Sequence, residues 1–253
     1  MEGVWSPFGI DGDVALVTGA SAGLGARFAR VLAAAGAHVV ATARRLEDLS
    51  ALCDSCDGRA DAVAGDLTDP DHRRALVELI DQRFGRLDIL VNNAGRCDDG
   101  PLENQTLDEL TAVIDLNLVA VLDVCRLAAP LLFRSGHASV VNVASMYGLV
   151  ASIGPMAAYN ASKGALVNLT RHLAAQWGRR GVRVNALAPG YFPTAMTGEL
   201  ADPGFRRSIE ARTLLGRVPA MSELDGPLLF LVSSASSYVT GHILTVDAGW
   251  TAV

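Results

Sequence analysis

The stretch Val14-Ala15-Leu16-Val17-Thr18-Gly19-Ala20-Ser21-Ala22-Gly23-Leu24-Gly25 runs from a short β-branched segment through a glycine-rich turn into a helical pattern. Leu24, Phe28, Val31 and Leu32 recur at the spacing of one helix face, so the glycines join a strand to the start of a helix. A helix start offers unpaired backbone N–H groups and the positive end of a dipole, and both favour a phosphate. In that setting Gly19 permits a tight turn, Gly23 lets the backbone approach a pyrophosphate, and Gly25 lets helix and strand pack closely. Ser21 and Leu24 share the turn and are candidate contacts. A dinucleotide is the natural ligand of such a turn, although the spacing G-x-x-x-G-x-G departs from the more familiar G-x-G-x-x-G.

Outward from the turn the chain alternates. Short apolar runs recur at 39–42, 62–64, 89–91, 140–143, 182–184 and 243–246, with longer helical patterns between them. With the first run, this predicts an α/β fold: a doubly wound, seven-stranded parallel sheet with helices on both faces. The runs are continuous in apolar character, as strands buried on both faces are. Gly36 is placed to close the first helix, and Asp69-Pro70 pairs a capping residue with proline at the first helical position to open the third. No linker or charge block divides the chain, so 1–253 reads as a single domain, with 1–12 as a loosely held arm and 191–213 as a segment over the substrate.

Composition narrows the class of function. Of 253 residues, 50% are hydrophobic and 19% charged, enough to bury a sizeable core and too apolar for a disordered chain. The net charge is −6, and the lysines and arginines are scattered, which argues against nucleic acid as a partner. The apolar run 31–43 is broken by Gly36 and His38, and no stretch reads as the roughly 20 residues a membrane helix needs. Met1-Glu2-Gly3-Val4-Trp5 lacks the basic start of a signal peptide, so a cytoplasmic setting is expected. Cys53 and Cys56 form a C-x-x-C with no second ligand pair at suitable spacing, so no metal site is expected; Cys97 and Cys125 read as small apolar fillers.

Two further patterns concern chemistry. The end of the second strand, where an acid would bind a ribose 2′-OH, carries Ala43-Arg44-Arg45. Arg44 could pair with a 2′-phosphate, which favours NADP(H) over NAD(H). Tyr159 and Lys163, four apart in a helical pattern continued by Leu166, Leu169, Leu173 and Trp177, share one helix face. A cation beside a phenol lowers its pKa, and the pair then suits general acid–base work. Ser145 follows the fifth strand at the carboxyl edge of the sheet, where doubly wound proteins bind ligands. Asn117 lies in a helical segment and, if buried, needs hydrogen-bond partners. A competing pattern, Gly19-x-Ser21-x-Gly23 followed by Asp225 and His242, has the residue order of an α/β-hydrolase. Only 20 residues precede Ser21, too few for the earlier loop that such an oxyanion hole requires.

Taken in order, the glycine turn, Asp66-Leu67, Asn92-Asn93-Ala94-Gly95, Asn117, Ser145, Tyr159-x-x-x-Lys163 and Pro189-Gly190 with Thr194 resemble the short-chain dehydrogenase/reductase family, from Val14 to Trp250. The resemblance implies a Rossmann fold and an NAD(P)-dependent oxidoreductase interconverting carbonyl and secondary alcohol. It implies that Tyr159 exchanges a proton with the substrate oxygen and that Ser145 hydrogen-bonds that oxygen. Lys163 would bind the nicotinamide ribose and lower the Tyr159 pKa, while Asn117 would hold a relay water. Asp66 would contact the adenine, Leu67 beside it would be a further cofactor contact, Asn93, Ala94 and Gly95 would lie along the cofactor, and Pro189, Gly190 and Thr194 over the nicotinamide.

The Ser145-to-Tyr159 spacing is one residue longer than is common in the family, which loosens inference about the loop 146–156. Phe192, Met196, Leu200 and Phe205 suggest an apolar wall for a small to medium, neutral or largely apolar substrate. A sugar or alcohol dehydrogenase preferring NAD, and a non-catalytic nucleotide-binding scaffold, are the competing readings. A homotetramer is the expected assembly, by the same resemblance.

Overall fold

The computed structural model describes residues 8–152 and 154–253. Seven strands, β1 (Val14–Thr18), β2 (His38–Ala43), β3 (Ala60–Ala64), β4 (Ile89–Asn92), β5 (Ser139–Val143), β6 (Arg183–Pro189) and β7 (Ile243–Val246), form one sheet. Every neighbouring pair is parallel, in the order β3-β2-β1-β4-β5-β6-β7. The order reverses between β1 and β4, opening a crevice at their carboxyl ends. The central strands are buried throughout, whereas β3 and β7 at the two edges are only half-buried.

Alternate residues of each strand face opposite layers. On one side Ala15, Val17 and Val39 pack against Phe28 and Leu32 of helix α1 (Gly23–Ala34), Leu49 and Leu52 of α2 (Leu46–Asp54), and Leu228 and Leu231 further along the chain. On the other, Leu16, Val40 and Leu90 meet Leu76 and Ile80 of α3 (Pro70–Phe84) together with the helices that follow β4 and β5. The start of α3 follows the sequence reading: Asp69 accepts from the Asp71 N–H at 2.9 Å and Pro70 takes the first helical position.

Two expectations are corrected. Residues 1–7 of the supposed arm lie outside the described residues, but Ile10 is 2% exposed within the core and the Gly12 N–H donates to the Gly36 carbonyl, so 10–12 are fastened to the fold. The run Leu107–Ser135 is long and apolar enough to cross a membrane by length and composition, contrary to the sequence reading. In this fold it lies along the sheet, burying Val113, Val121, Val124, Leu131 and Leu132. That run is also not one regular helix. It divides into α4 (Leu107–Ile114), a π-helical turn (Asp115–Val119) and α5 (Ala120–Ser135), and the π turn carries Asn117. Such widened turns recur at functional sites because they redirect one side chain without ending the helix.

Candidate active site

A cleft of about 650 Å³ opens at the carboxyl ends of the strands, over the point where the strand order reverses. At one end lies the glycine turn. Helix α1 starts at Gly23 with Ala22 before it, no side-chain cap and no acidic residue in its first turn, so its opening N–H groups have no partner from a capping side chain. Gly19, at φ 67°, lets Ala94 come close: a Cβ there would sit 2.8 Å from the Ala94 Cα. The Asn93 amide donates to the Thr18 carbonyl at 2.9 Å, and the Thr18 hydroxyl accepts from the N–H groups of Asn93 and Ala94, both at 3.0 Å. These bonds lock the ends of β1 and β4 into one floor.

Gly25 lies beneath that floor, outside the cleft lining. A Cβ on it would collide with the Gly19 carbonyl oxygen and the Asn93 amide nitrogen. Gly25→Ala is therefore expected to destabilise the protein by about 1–3 kcal/mol and to weaken nucleotide binding together with it, read by thermal melting and a binding titration.

The adenosine end is assembled from β2 and β3. Ser21, Gly23, Leu24, Arg44, Asp66 and Leu67 all line the cleft. The Asp66 carboxylate accepts from the Thr68 N–H at 2.9 Å and from its hydroxyl at 2.8 Å, which holds its pKa below the usual carboxylate range. Arg44 is exposed and has no hydrogen bond or ion pair to another described residue. Arg45, which the sequence reading left out, pairs with Asp48 and donates to the Ser21 hydroxyl at 3.1 Å, placing a second guanidinium beside the turn. Its signal was the doubled arginine itself. The hydrolase pattern is not assembled: Ser21 is held by Arg45, Asp225 is paired with Arg27, and His242 lies just before β7, where its N–H donates to Asn185.

At the other end stand Ser145, Tyr159 and Lys163, with Pro189, Gly190 and Thr194 across from them. Tyr159 and Lys163 occupy the first two turns of α6 (Ala157–Trp177) and share a face, with Nζ 5.6 Å from the phenol ring centre. The lysine is 4% exposed and donates to the Val143 carbonyl at 2.7 Å. Burial pushes it down to about 8. Burial also pushes the Tyr159 phenol up to about 12, with the neighbouring Ser145 hydroxyl acting the other way. In place of the expected lowering by Lys163, burial dominates, and what opposes it comes from Ser145. Tyr159 is held as a neutral proton donor at neutral pH.

Asn117 lies beneath the cleft lining and is fully buried. Its Oδ1 accepts from the Arg96 N–H at 2.9 Å, and its Nδ2 donates to the Arg96 carbonyl at 2.9 Å and to the Ser162 hydroxyl at 3.0 Å. Both side-chain amide protons are engaged, so the side chain itself could meet the expected water only through Oδ1. What the side chain does in the structure is clasp the segment after β4 to α6.

The apolar wall also differs from expectation. Phe192 is 3% exposed and belongs to the main core, although it reaches the cleft lining. Leu200 and Phe205 pack with Tyr147, Tyr191 and Trp250 in a satellite cluster, and Met196 is exposed at the cleft. Within this cluster the Tyr147 and Tyr191 hydroxyls are 2.9 Å apart, a polar pair that sequence periodicity gives no reason to expect.

The Cys53 thiol is pushed up to about 11 by burial, and the Cys56 Sγ donates to the Leu52 carbonyl. Asp13, Asp88 and His137 converge at the opposite edge of the sheet, a group the sequence reading did not single out. There Asp88 accepts from the Val14 N–H, Arg86 and Ser135, which accounts for it as an ordinary structural carboxylate.

Comparison with known proteins agrees with this arrangement. The family model described as enoyl-(acyl carrier protein) reductase matches residues 19–251. Gluconate 5-dehydrogenase of Gluconobacter oxydans is 40% identical over 248 residues, covering 96% of each chain. The 3-oxoacyl-[acyl-carrier-protein] reductase of Thermotoga maritima is 35% identical over 243 residues, covering 95% of this chain and 98% of its own. Among solved structures, a gluconate 5-dehydrogenase from Burkholderia cenocepacia in complex with NADP and tartrate superposes with a TM-score of 0.92 at 36% identity, covering 98% of both chains.

Proposed function

Because the chain belongs to the short-chain dehydrogenase/reductase family and is an oxidoreductase of it, we propose that it transfers a hydride between NADP(H) and the carbonyl or secondary alcohol carbon of a small to medium, neutral substrate. The observation that carries this reading is a single cleft with an uncapped helix start and an unpaired Arg44 at one end and Ser145, Tyr159 and Lys163 at the other. The residues fit a dinucleotide: at Gly19 a side chain would close the approach to Ala94, and at the adenosine end Ser21 is oriented by Arg45 and Asp66 by Thr68, while Arg44 points no bond at another described residue.

When bound, the nicotinamide supplies or accepts the hydride; the protein's part is proton, polarisation and position. In reduction the Tyr159 hydroxyl donates a proton to the oxygen that gains negative charge, and the Ser145 hydroxyl donates a hydrogen bond to that oxygen. Lys163 holds the ribose and replaces the proton that the phenol gives up. Asn117 keeps the segment 93–96 and α6 in register. Residues 191–213 cover the substrate end, and a homotetramer in the cytoplasm is the proposed setting.

The test is a parallel fluorescence titration with NADPH and NADH, followed by an NADPH-consumption assay over a panel of ketones. Tighter NADPH binding with turnover supports the reading, and binding of neither dinucleotide overturns it. Arg44→Asp is expected to weaken NADPH about 10- to 100-fold, the loss of one charge-assisted phosphate contact, and to leave NADH little changed. An unchanged preference would transfer the 2′-phosphate to Arg45.

A second reading, a hydroxylated sugar acid as substrate, is favoured by the gluconate 5-dehydrogenase relatives, one of them solved in complex with NADP and tartrate. A keto-sugar acid in the same panel separates the two.

A further inference from the structure

Helix α6, which carries Tyr159 and Lys163, begins without a cap of its own. Met156, the residue before it, sits at φ −139° and ψ 57° and offers no side-chain acceptor, and the first turn contains no acid. Its second and third N–H groups are taken from outside. Asp98 Oδ2 accepts from the Ala158 N–H at 3.0 Å, and Oδ1 accepts from the Tyr159 N–H at 2.8 Å. Asp98 lies 61 residues before Tyr159, in the segment after β4, and is 8% exposed. A buried carboxylate is costly unless its oxygens are matched, and here two N–H groups and the positive end of the helix match them.

The segment that carries Asp98 is the one that floors the cleft. Asn93 and Ala94 are tied to β1, and the Arg96 backbone is held by Asn117. Asn117 reaches Ser162, whose hydroxyl donates to the Tyr159 carbonyl at 2.7 Å. The residue that bears the phenol is thus fixed at its N–H by Asp98 and at its carbonyl through Ser162, and both ties run back to residues 96–98. Further along, α6 is anchored by burial of Leu166, Leu173 and Trp177, which do not involve Asp98.

We propose that Asp98 is a positioning residue for the reaction: its carboxylate caps the helix from outside and sets the Tyr159 phenol against Ser145 and Lys163. The proposal rests on the role of Tyr159 given above, and its test separates the two. In Asp98→Ala, the amides of Ala158 and Tyr159 should lose hydrogen-exchange protection while those beyond Leu166 keep theirs. Turnover should fall about 10- to 100-fold, the effect of a misplaced acid, with the NADPH Kd unchanged. Asp98→Asn keeps one acceptor and should recover part of both protection and kcat.

Unchanged protection at Ala158 and Tyr159, or wild-type kcat, overturns the proposal. Parallel loss of kcat, NADPH affinity and melting temperature also overturns it, since that is a general structural role. If Asp98→Ala does not fold, Asp98→Asn decides: reduced kcat with unchanged melting and NADPH binding supports the proposal, and wild-type behaviour in kcat and exchange overturns it. Tyr159→Phe in the same series isolates the chemical reading, because full turnover in that variant removes the acid role whatever the exchange data show for Asp98.

Discussion

Tyr159→Phe should lower kcat for carbonyl reduction by about 10²- to 10⁴-fold, the usual contribution of a positioned acid, while the NADPH Kd stays at its wild-type value. The substitution removes one oxygen and leaves a ring of the same shape beside Met156 and the Tyr147 and Trp250 cluster, so packing changes little. Because burial pushes the phenol up to about 12, it is protonated at neutral pH and serves as donor without a prior ionisation step. The same shift makes it a poor base at neutral pH, so alcohol oxidation should accelerate with rising pH whereas reduction should not. Steady-state assays of the two directions, with a binding titration of the variant, check both parts. Near-wild-type kcat in Tyr159→Phe would remove the phenol from the mechanism.

Local signals carried the fold. The strand runs, the glycine turn and Asp69-Pro70 are each written in a few adjacent residues, and all recur in the structure. The candidate residues at both ends of the cleft were legible for the same reason: each sits at a strand end or on a helix face that the pattern locates.

What escaped depends on contacts between distant segments. The π turn around Asn117 has no distinct periodicity, and it is explained by Arg96 and Ser162, 21 and 45 residues away. Ile10 and Phe192 looked peripheral in sequence, yet both fill the core that α1 and the strands leave open. The Tyr159 and Lys163 pair was read from its spacing alone, as sharing one helix face with the cation lowering the phenol. Their burial reverses the balance for the phenol, and burial is not visible in an i, i+4 spacing.

That burial also sets the stability of the site against its activity. Lys163→Met should reduce kcat by about 10²- to 10⁴-fold, as the ammonium that restores the proton is lost, yet leave the fold as stable as the wild type or slightly more so. The lysine is held at about 8 in the folded protein, against ~10.4 for an unfolded chain. A depressed lysine pKa means that the unfolded state binds the proton more tightly. Stability from this group is therefore full above the unfolded value, declines as pH falls from ~10.4 towards about 8, and stays low below that.

At pH 7 the penalty is about 3 kcal/mol. Methionine matches the length of the buried stem without the charge, but it leaves the Val143 carbonyl without the 2.7 Å donor, which costs about 1–3 kcal/mol. The balance is a gain of about 1 kcal/mol, or ~2–4 °C in Tm for a chain of this size. Thermal melts of both proteins from pH 7 to 10 read the sign directly: the difference should favour Lys163→Met at pH 7 and shrink towards pH 10. A variant melting well below the wild type at pH 7 would mean that the Val143 bond outweighs desolvation, and that the lysine stabilises the fold as well as serving the reaction.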